Sequence, residues 1–267
     1  MFNVLLSFLK KDFRIETTYK MNLLLGIGGI FLSAMMFFFI AKLVPGQAVS
    51  EYGGDYFSFV LIGIALSSFI SVGVYTFSKT IREMQLTGTL ETVLATPTKL
   101  SVILFGSSIW GFIITIINVF VYFIFGIFVF NMKINASLGS IFTAILILIL
   151  TIICFSSIGI IASGLIMIFK RGDPLVGATN HLFNLLGGML FPIEIMPFWL
   201  QTISHLLPIT YTLRSLRHVL IQGYSLNAVG FDVLVLAGFC VLLVPLCIFI
   251  FRLTVRKAKK DGSLVKY

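Results

Sequence analysis

Charge is scarce along this chain. Asp, Glu, Lys and Arg make up 11% of the 267 residues, against 58% apolar ones, and that balance does not fit a soluble domain. Catalytic signatures are missing too. No Gly-x-x-x-x-Gly-Lys-Ser/Thr occurs, so ATP binding through a phosphate loop of its own is excluded. There is no His-Glu-x-x-His, no Gly-x-Ser-x-Gly and no Cys-x-x-Cys, which leaves no catalytic residue to nominate. The three cysteines, Cys154, Cys240 and Cys247, lie inside apolar runs without metal-ligand spacing and read as small packing residues. Neither a metal nor a cofactor is expected. No cluster of Asp, Glu or Lys stands near the middle of an apolar run, where a proton- or sodium-coupled transporter carries one. The filter sequence or charged ring of an ion channel is also missing.

What is present is apolar length. Six runs, at 21–41, 56–78, 101–130, 138–169, 174–191 and 231–251, are candidates to cross a hydrocarbon core of about 30 Å. The fifth is short, and the third and fourth are long enough to tilt. Spans and their joints take up almost all of residues 1–267, read as a single all-α integral membrane domain. With the N-terminus inside, fifteen Lys and Arg fall on inner segments. Only four, Lys42, Lys133, Arg214 and Arg217, fall outside. This positive-inside bias supports an even span count, cytoplasmic termini and a plasma-membrane location, bacterial by expectation. The net charge of +9 is therefore a topology signal and not a nucleic-acid signal. The basic tail from Arg256 to Lys260 is expected to meet anionic lipid. Charged residues at 10 to 20 precede a first run too long for a signal peptide, so that run is expected to stay as an anchor.

Residues 1–20 put Phe2, Leu5, Leu6, Leu9 and Phe13 beside Lys10, Lys11 and Arg14, the pattern of an interfacial helix. Gly26, Gly29 and Ser33 in the first run, and Ser156 to Gly164 in the fourth, are small-residue seams suited to close helix packing. On the fifth run Gly177, Asn180, His181, Asn184, Gly187 and Gly188 share one side. Polar side chains in lipid are costly, so this stripe faces protein or a water-filled path; the alternative is that Asn and His bond to neighbouring helices. His181 lacks a second ligand at helical spacing and is not read as a metal site. Phe191 to Pro208 is too apolar for an ordinary loop and too broken by Pro192, Pro197 and Pro208 for a span. It reads as a pair of short helices dipping into the outer leaflet, within a re-entrant segment at 192–222. Trp199 suits the interface. Glu194 is the one acid of the 191–208 stretch, either a functional carboxylate or a partner for a helix start or for Arg214 or Arg217.

Between the second and third runs, Leu86, Leu90, Val93 and Leu94 share one helical face. Gly88 with Glu91 reads as a helix start, and Thr96-Pro97 as the start of the next helix. A short helix over 83–95, joined to two spans at the inner surface, can act as a lever between a soluble partner and the bilayer. The same pattern fits a helix that only lies on lipid headgroups.

Gly88-Thr-Leu-Glu-Thr-Val-Leu-Ala-Thr-Pro97 resembles the cytoplasmic coupling helix of the ABC type-2 transmembrane domain. Phe191-Pro-Ile-Glu-Ile-Met-Pro-Phe-Trp-Leu200, followed by Leu207-Pro-Ile-Thr-Tyr211 and Arg214, resembles that family's outer re-entrant segment. The resemblance implies two permease subunits, identical or different, with two ATP-binding-cassette ATPase subunits that supply the energy for export. It implies coupling through Glu83, Gly88, Thr89, Leu90, Glu91, Val93, Leu94 and Pro97. A translocation path or dimer interface would involve Gly26, Gly29, Asn180, His181, Asn184, Gly187 and Gly188. An outer gate would involve Pro192, Glu194, Pro197, Trp199 and Pro208. Phe is scattered with no single aromatic stripe, which favours a drug or lipid-like amphipathic cargo over a lipid-linked polysaccharide. A non-transport membrane scaffold is the rival class. A secondary transporter would need an inverted repeat, and neither the 87–97 nor the 191–208 stretch has a counterpart in the other half.

Overall fold

The computed structural model describes residues 2–18, 20–44, 49, 51–53, 55–95, 100–135, 137–169 and 173–260, and among these the only regular structure is helical. In chain order the elements are α1 (Phe2–Thr18), α2 (Lys20–Ala41), α3 (Tyr56–Leu86), α4 (Leu90–Ala95), α5 (Leu100–Ile124), α6 (Leu138–Phe169), α7 (Asp173–Leu186), α8 (Phe198–His205), α9 (Pro208–Ile221) and α10 (Gly230–Lys260). A π-helical turn, Phe125–Val129, continues α5, and a 3-10 turn, Ile193–Ile195, precedes α8.

Among the described residues, five helices are long and apolar enough to cross a membrane, over Leu23–Ala41, Tyr56–Leu86, Val102–Val129, Leu138–Met167 and Gly230–Ala258. The run expected to be the fifth of six spans is the exception. It forms α7, whose 14 residues reach about 21 Å at 1.5 Å per residue, short of a core of about 30 Å. The second span also differs from expectation. Lys79 does not end it; α3 continues to Leu86, and Lys79 Nζ lies 3.7 Å from Glu83 Oε1 one turn on. The helix start expected at Thr96-Pro97 lies outside the described residues.

The bundle is built around α3. Some 72% of its apolar stretch is buried, against 11% for α2 and 17% for α5 and α10. It begins at Asp55, whose carboxylate accepts from the Phe57 and Ser58 amides at 3.2 and 3.3 Å as an N-cap. It then packs on α2, α5, α6, α7 and α9. The small-residue seam of α6 brings it close to both α3 and α10. A side chain on Gly159 would overlap the Gly73 carbonyl of α3, and one on Gly164 would stand 2.6 Å from Thr254 Oγ1 of α10. Cys154 and Cys240 are buried where α6 meets α10, with their sulfurs 3.1 Å apart. The glycines of α2 are different: a Cβ at Gly26, Gly28 or Gly29 would have open space around it. Between these helices the core runs through Phe69, Phe77 and Ile81 of α3, Ile147 and Phe155 of α6, and Leu213 and Leu216 of α9. At its margin α1 leans on α5 through an edge contact of Phe13 with Trp110, 5.9 Å between rings.

Candidate functional site

Three features stand out, one at the α4 end of the bundle, one along α7 and one at the α8 end. At the α4 end, α3 stops by a turn that its own backbone closes. The Thr89 amide donates to the Met84 carbonyl at 3.0 Å and the Gly88 amide to Gln85 at 3.2 Å, the paired bonds of a Schellman motif. Gly88 takes φ +67°, which only a residue without Cβ adopts at no cost. It thus closes α3 and does not start α4; that start falls at Thr89, whose carbonyl accepts from Val93 at 3.0 Å. The segment expected as one helix over 83–95 is therefore two pieces, with Glu83 on α3 and α4 reduced to six residues.

The two pieces present different faces. Leu90 is fully buried in the main core, while Leu86 is 62% exposed. Glu83, Thr87, Gly88, Thr89 and Thr92 are exposed and Val93 is half-buried. Glu91 and Leu94 lie on α4, and Pro97 lies outside the described residues.

Along α7 the polar stripe turns partly inward. Asn180 Nδ2 donates to Ser71 Oγ of α3 at 2.8 Å. Asn184 Oδ1 is buried without a protein partner, and His181 is exposed beside Leu182 and Leu185. Gly187 and Gly188 belong to the end of the helix and not to its stripe. The Gly188 amide donates to Leu185 at 3.4 Å and the Met189 amide to Asn184 at 3.3 Å, and Gly188 has φ +73°, again a Schellman end. Gly26 and Gly29 are on α2 with open space around them, whereas α7 packs mainly on α3, α8 and α9.

At the α8 end the prolines act as punctuation. Pro192 precedes the 3-10 turn, Pro197 precedes α8 and Pro208 opens α9, positions where its missing amide costs nothing. α8 is exposed, with Trp199 at 64%, whereas α9 buries Ile209, Leu213, Leu216 and Val219. Two arginines on α9, three residues apart, serve different neighbours. Arg214 pairs with Asp232 at the start of α10, with Nε 3.0 Å from Oδ2 and a second contact from Nη2 to Oδ1. Arg217 is buried and donates to main chain: Nε to Phe59 O at 3.2 Å, Nη1 to Gly188 O at 2.9 Å and Nη2 to Met189 O at 2.9 Å. Its guanidinium also lies 3.4 Å over the Phe59 ring.

Glu194 is exposed and lines, with Tyr52, His205, Arg214 and Arg217, a cavity of about 10 Å³, the size of one water. Burial, reinforced by the Glu194 charge, raises the Tyr52 hydroxyl to about 12. Asp232, and not Glu194, is the carboxylate that Arg214 holds. In the sequence Arg214 and Arg217 read only as outer cations; no motif marks their partners Asp232, Phe59, Gly188 and Met189. The signal for them is a pair of Arg within an amphipathic helical pattern whose other positions are apolar or small.

The family model described as ABC-2 type transporter matches residues 4–221, from within α1 to the last residue of α9. No curated protein matches the chain.

Proposed function

Because the chain belongs to the ABC-2 type transporter family, we propose that this permease exports an amphipathic, drug-like or lipid-like molecule, driven by separate ATP-binding-cassette subunits. Both termini and the α3–α4 corner face the cytoplasm. The observation that carries the reading is that corner. A Schellman turn sets α4 against the end of the most buried helix, Leu90 anchors it with half-buried Val93 packed beside the core, and Leu86, Thr89 and Thr92 are left toward the water. Glu83, Gly88, Glu91, Leu94 and Pro97 complete the coupling segment. A push on so short a lever is delivered to α3, and through the Gly73–Gly159 contact to α6.

A second permease subunit covers the open glycine face of α2, with Gly26 and Gly29, and the exposed side of α7, with His181. Asn180 and Asn184 stand behind it along the path. The segment from Pro192 to Pro208, with Glu194, Pro197 and Trp199, closes the outer exit. An exposed α7 surface that mixes His181 with Leu182 and Leu185 suits a cargo with both polar and apolar parts.

Affinity capture of the tagged permease from its own membranes tests the assignment. The expected partner carries a phosphate-binding loop and hydrolyses ATP in the purified complex. His181→Cys is expected to cross-link between two permease subunits. Capture of a permease that is stable, active and free of any ATPase would overturn the reading.

A further inference from the structure

Arg217 is 2% exposed, and its three acceptors lie on two elements other than its own. Gly188 O and Met189 O are carbonyls of the turn that closes α7, just past Leu186. Phe59 O is in the first turns of α3. The rest of the neighbourhood is shaped to admit this contact. A side chain at Gly63 would overlap Met189 O and stand 3.0 Å from Arg217 Nη2, and Gly188 holds the left-handed backbone that turns both carbonyls toward α9. Tyr56 OH adds a bond to Leu190 O at 3.0 Å. Nε, Nη1 and Nη2 of Arg217 hold their three carbonyls from one rigid plane, a fixed geometry that guanidinium has and the compact point charge of ammonium lacks.

The residues after this contact are held differently. Ile195, Phe198, Trp199 and Leu206 are between 64% and 83% exposed, while Ile209, Leu213, Leu216 and Val219 are at most 1% exposed. α8 is joined to α9 through Thr210 Oγ1 donating to Ser204 O at 2.6 Å and Tyr211 OH donating to His205 O at 2.9 Å, bonds confined to its last turn.

We propose that Arg217 is the positioning residue of this transporter: it locks α9, the end of α7 and the start of α3 into one block, against which the stretch from Pro192 to Leu206 moves. The inference rests on taking that stretch as the gate. Arg217 thereby sets where the polar side of α7 stands while the exit opens and closes.

The test is amide hydrogen exchange on the permease–ATPase complex in lipid nanodiscs, nucleotide-free and vanadate-trapped, for Arg217→Lys and Gly63→Ala. In the unaltered complex, amides 186–191 stay protected in both states and amides 198–206 differ between them. Arg217→Lys keeps the charge and loses the fork. Exchange at 186–191 is expected to rise about tenfold and to become nucleotide-dependent, with α6 and α10 unchanged. A residue that only filled space would raise exchange equally in both states, and that result counts against the proposal. Gly63→Ala displaces the same carbonyl with no change of charge and is expected to act alike, so the outcome stands if the lysine variant does not insert. Undisturbed protection at 186–191 in the variants that fold overturns the proposal. If instead 198–206 ignore nucleotide while 186–191 still respond to both substitutions, the clamp stands and the gate reading falls.

Discussion

Leu86 and Leu90 are four residues apart on one expected helical face, yet the fold separates them, and that separation gives a quantitative experiment. Leu90 is 0% exposed and Leu86 is 62% exposed. Leu90→Ala removes buried methyl groups and leaves a cavity, a loss of about 2–5 kcal/mol. Leu86→Gln keeps helix propensity and alters a surface position, about 0.5 kcal/mol or less. At about 2–4 °C per kcal/mol for a chain of this size, the first variant melts at least about 4 °C lower and the second within about 2 °C of the parent. Partner binding should sort the other way. If Leu86 seats in a groove of the ATPase, its loss weakens the complex by about tenfold, or 1.4 kcal/mol. Thermal unfolding in detergent and titration of the ATPase onto immobilised permease read the two quantities separately. Undiminished binding by Leu86→Gln, together with full stability of Leu90→Ala, would refute the division of the corner into an anchor and a docking face. Replacing Leu90 by Asp would test folding and not docking.

Other perturbations follow from the same geometry. Arg214→Met or Asp232→Met alone leaves a partly buried charge unpaired and should cost about 2–4 kcal/mol, whereas the double variant should recover most of it; additive losses in a thermal double-mutant cycle would show that the pair carries no coupling. Gly159→Ala drives a Cβ into the Gly73 carbonyl, so α3 and α6 must separate; we expect a loss of more than about 1 kcal/mol, and wild-type stability would disprove the close approach. Glu194→Gln, at an exposed carboxylate, should leave stability within about 0.5 kcal/mol while slowing ATP-driven transport of every cargo alike; unequal effects on different cargos at constant ATPase stimulation would place Glu194 in the binding path.

Apolar length was the most legible part of the sequence. The run at 138–169 is α6, Leu138–Phe169, because polar residues flank it in the sequence on both sides. The run at 56–78 falls short of α3 by eight residues, since Lys79, Arg82 and Glu83 look like an interface although helical spacing lets them continue the helix. Gly88 shows a deeper ambiguity. A glycine between two helical patterns can end the first or start the second, and only its φ of +67° decides. On the fifth run, composition gave the stripe of Asn180 and Asn184, but not that the helix stops at Leu186, because Gly187 and Gly188 are compatible with a membrane helix until Arg217 engages their end. Arg217 itself could not be paired from sequence: its acceptors are main-chain carbonyls of Phe59, Gly188 and Met189, which no residue pattern marks.

The early stop of α7 bears on the bilayer itself. A helix of 14 residues covers about two thirds of an average hydrocarbon core, while α3, with 31 residues, and α6, with 32, overreach it. α7 therefore favours thin membrane, while α6 tolerates thick. Where lipid reaches the ends of α7, past the second subunit proposed to cover its exposed side, it would have to shorten or splay, at a fraction of a kcal/mol per ångström of mismatch, so that acyl-chain length would tune how readily the proposed exit opens, without any bound effector.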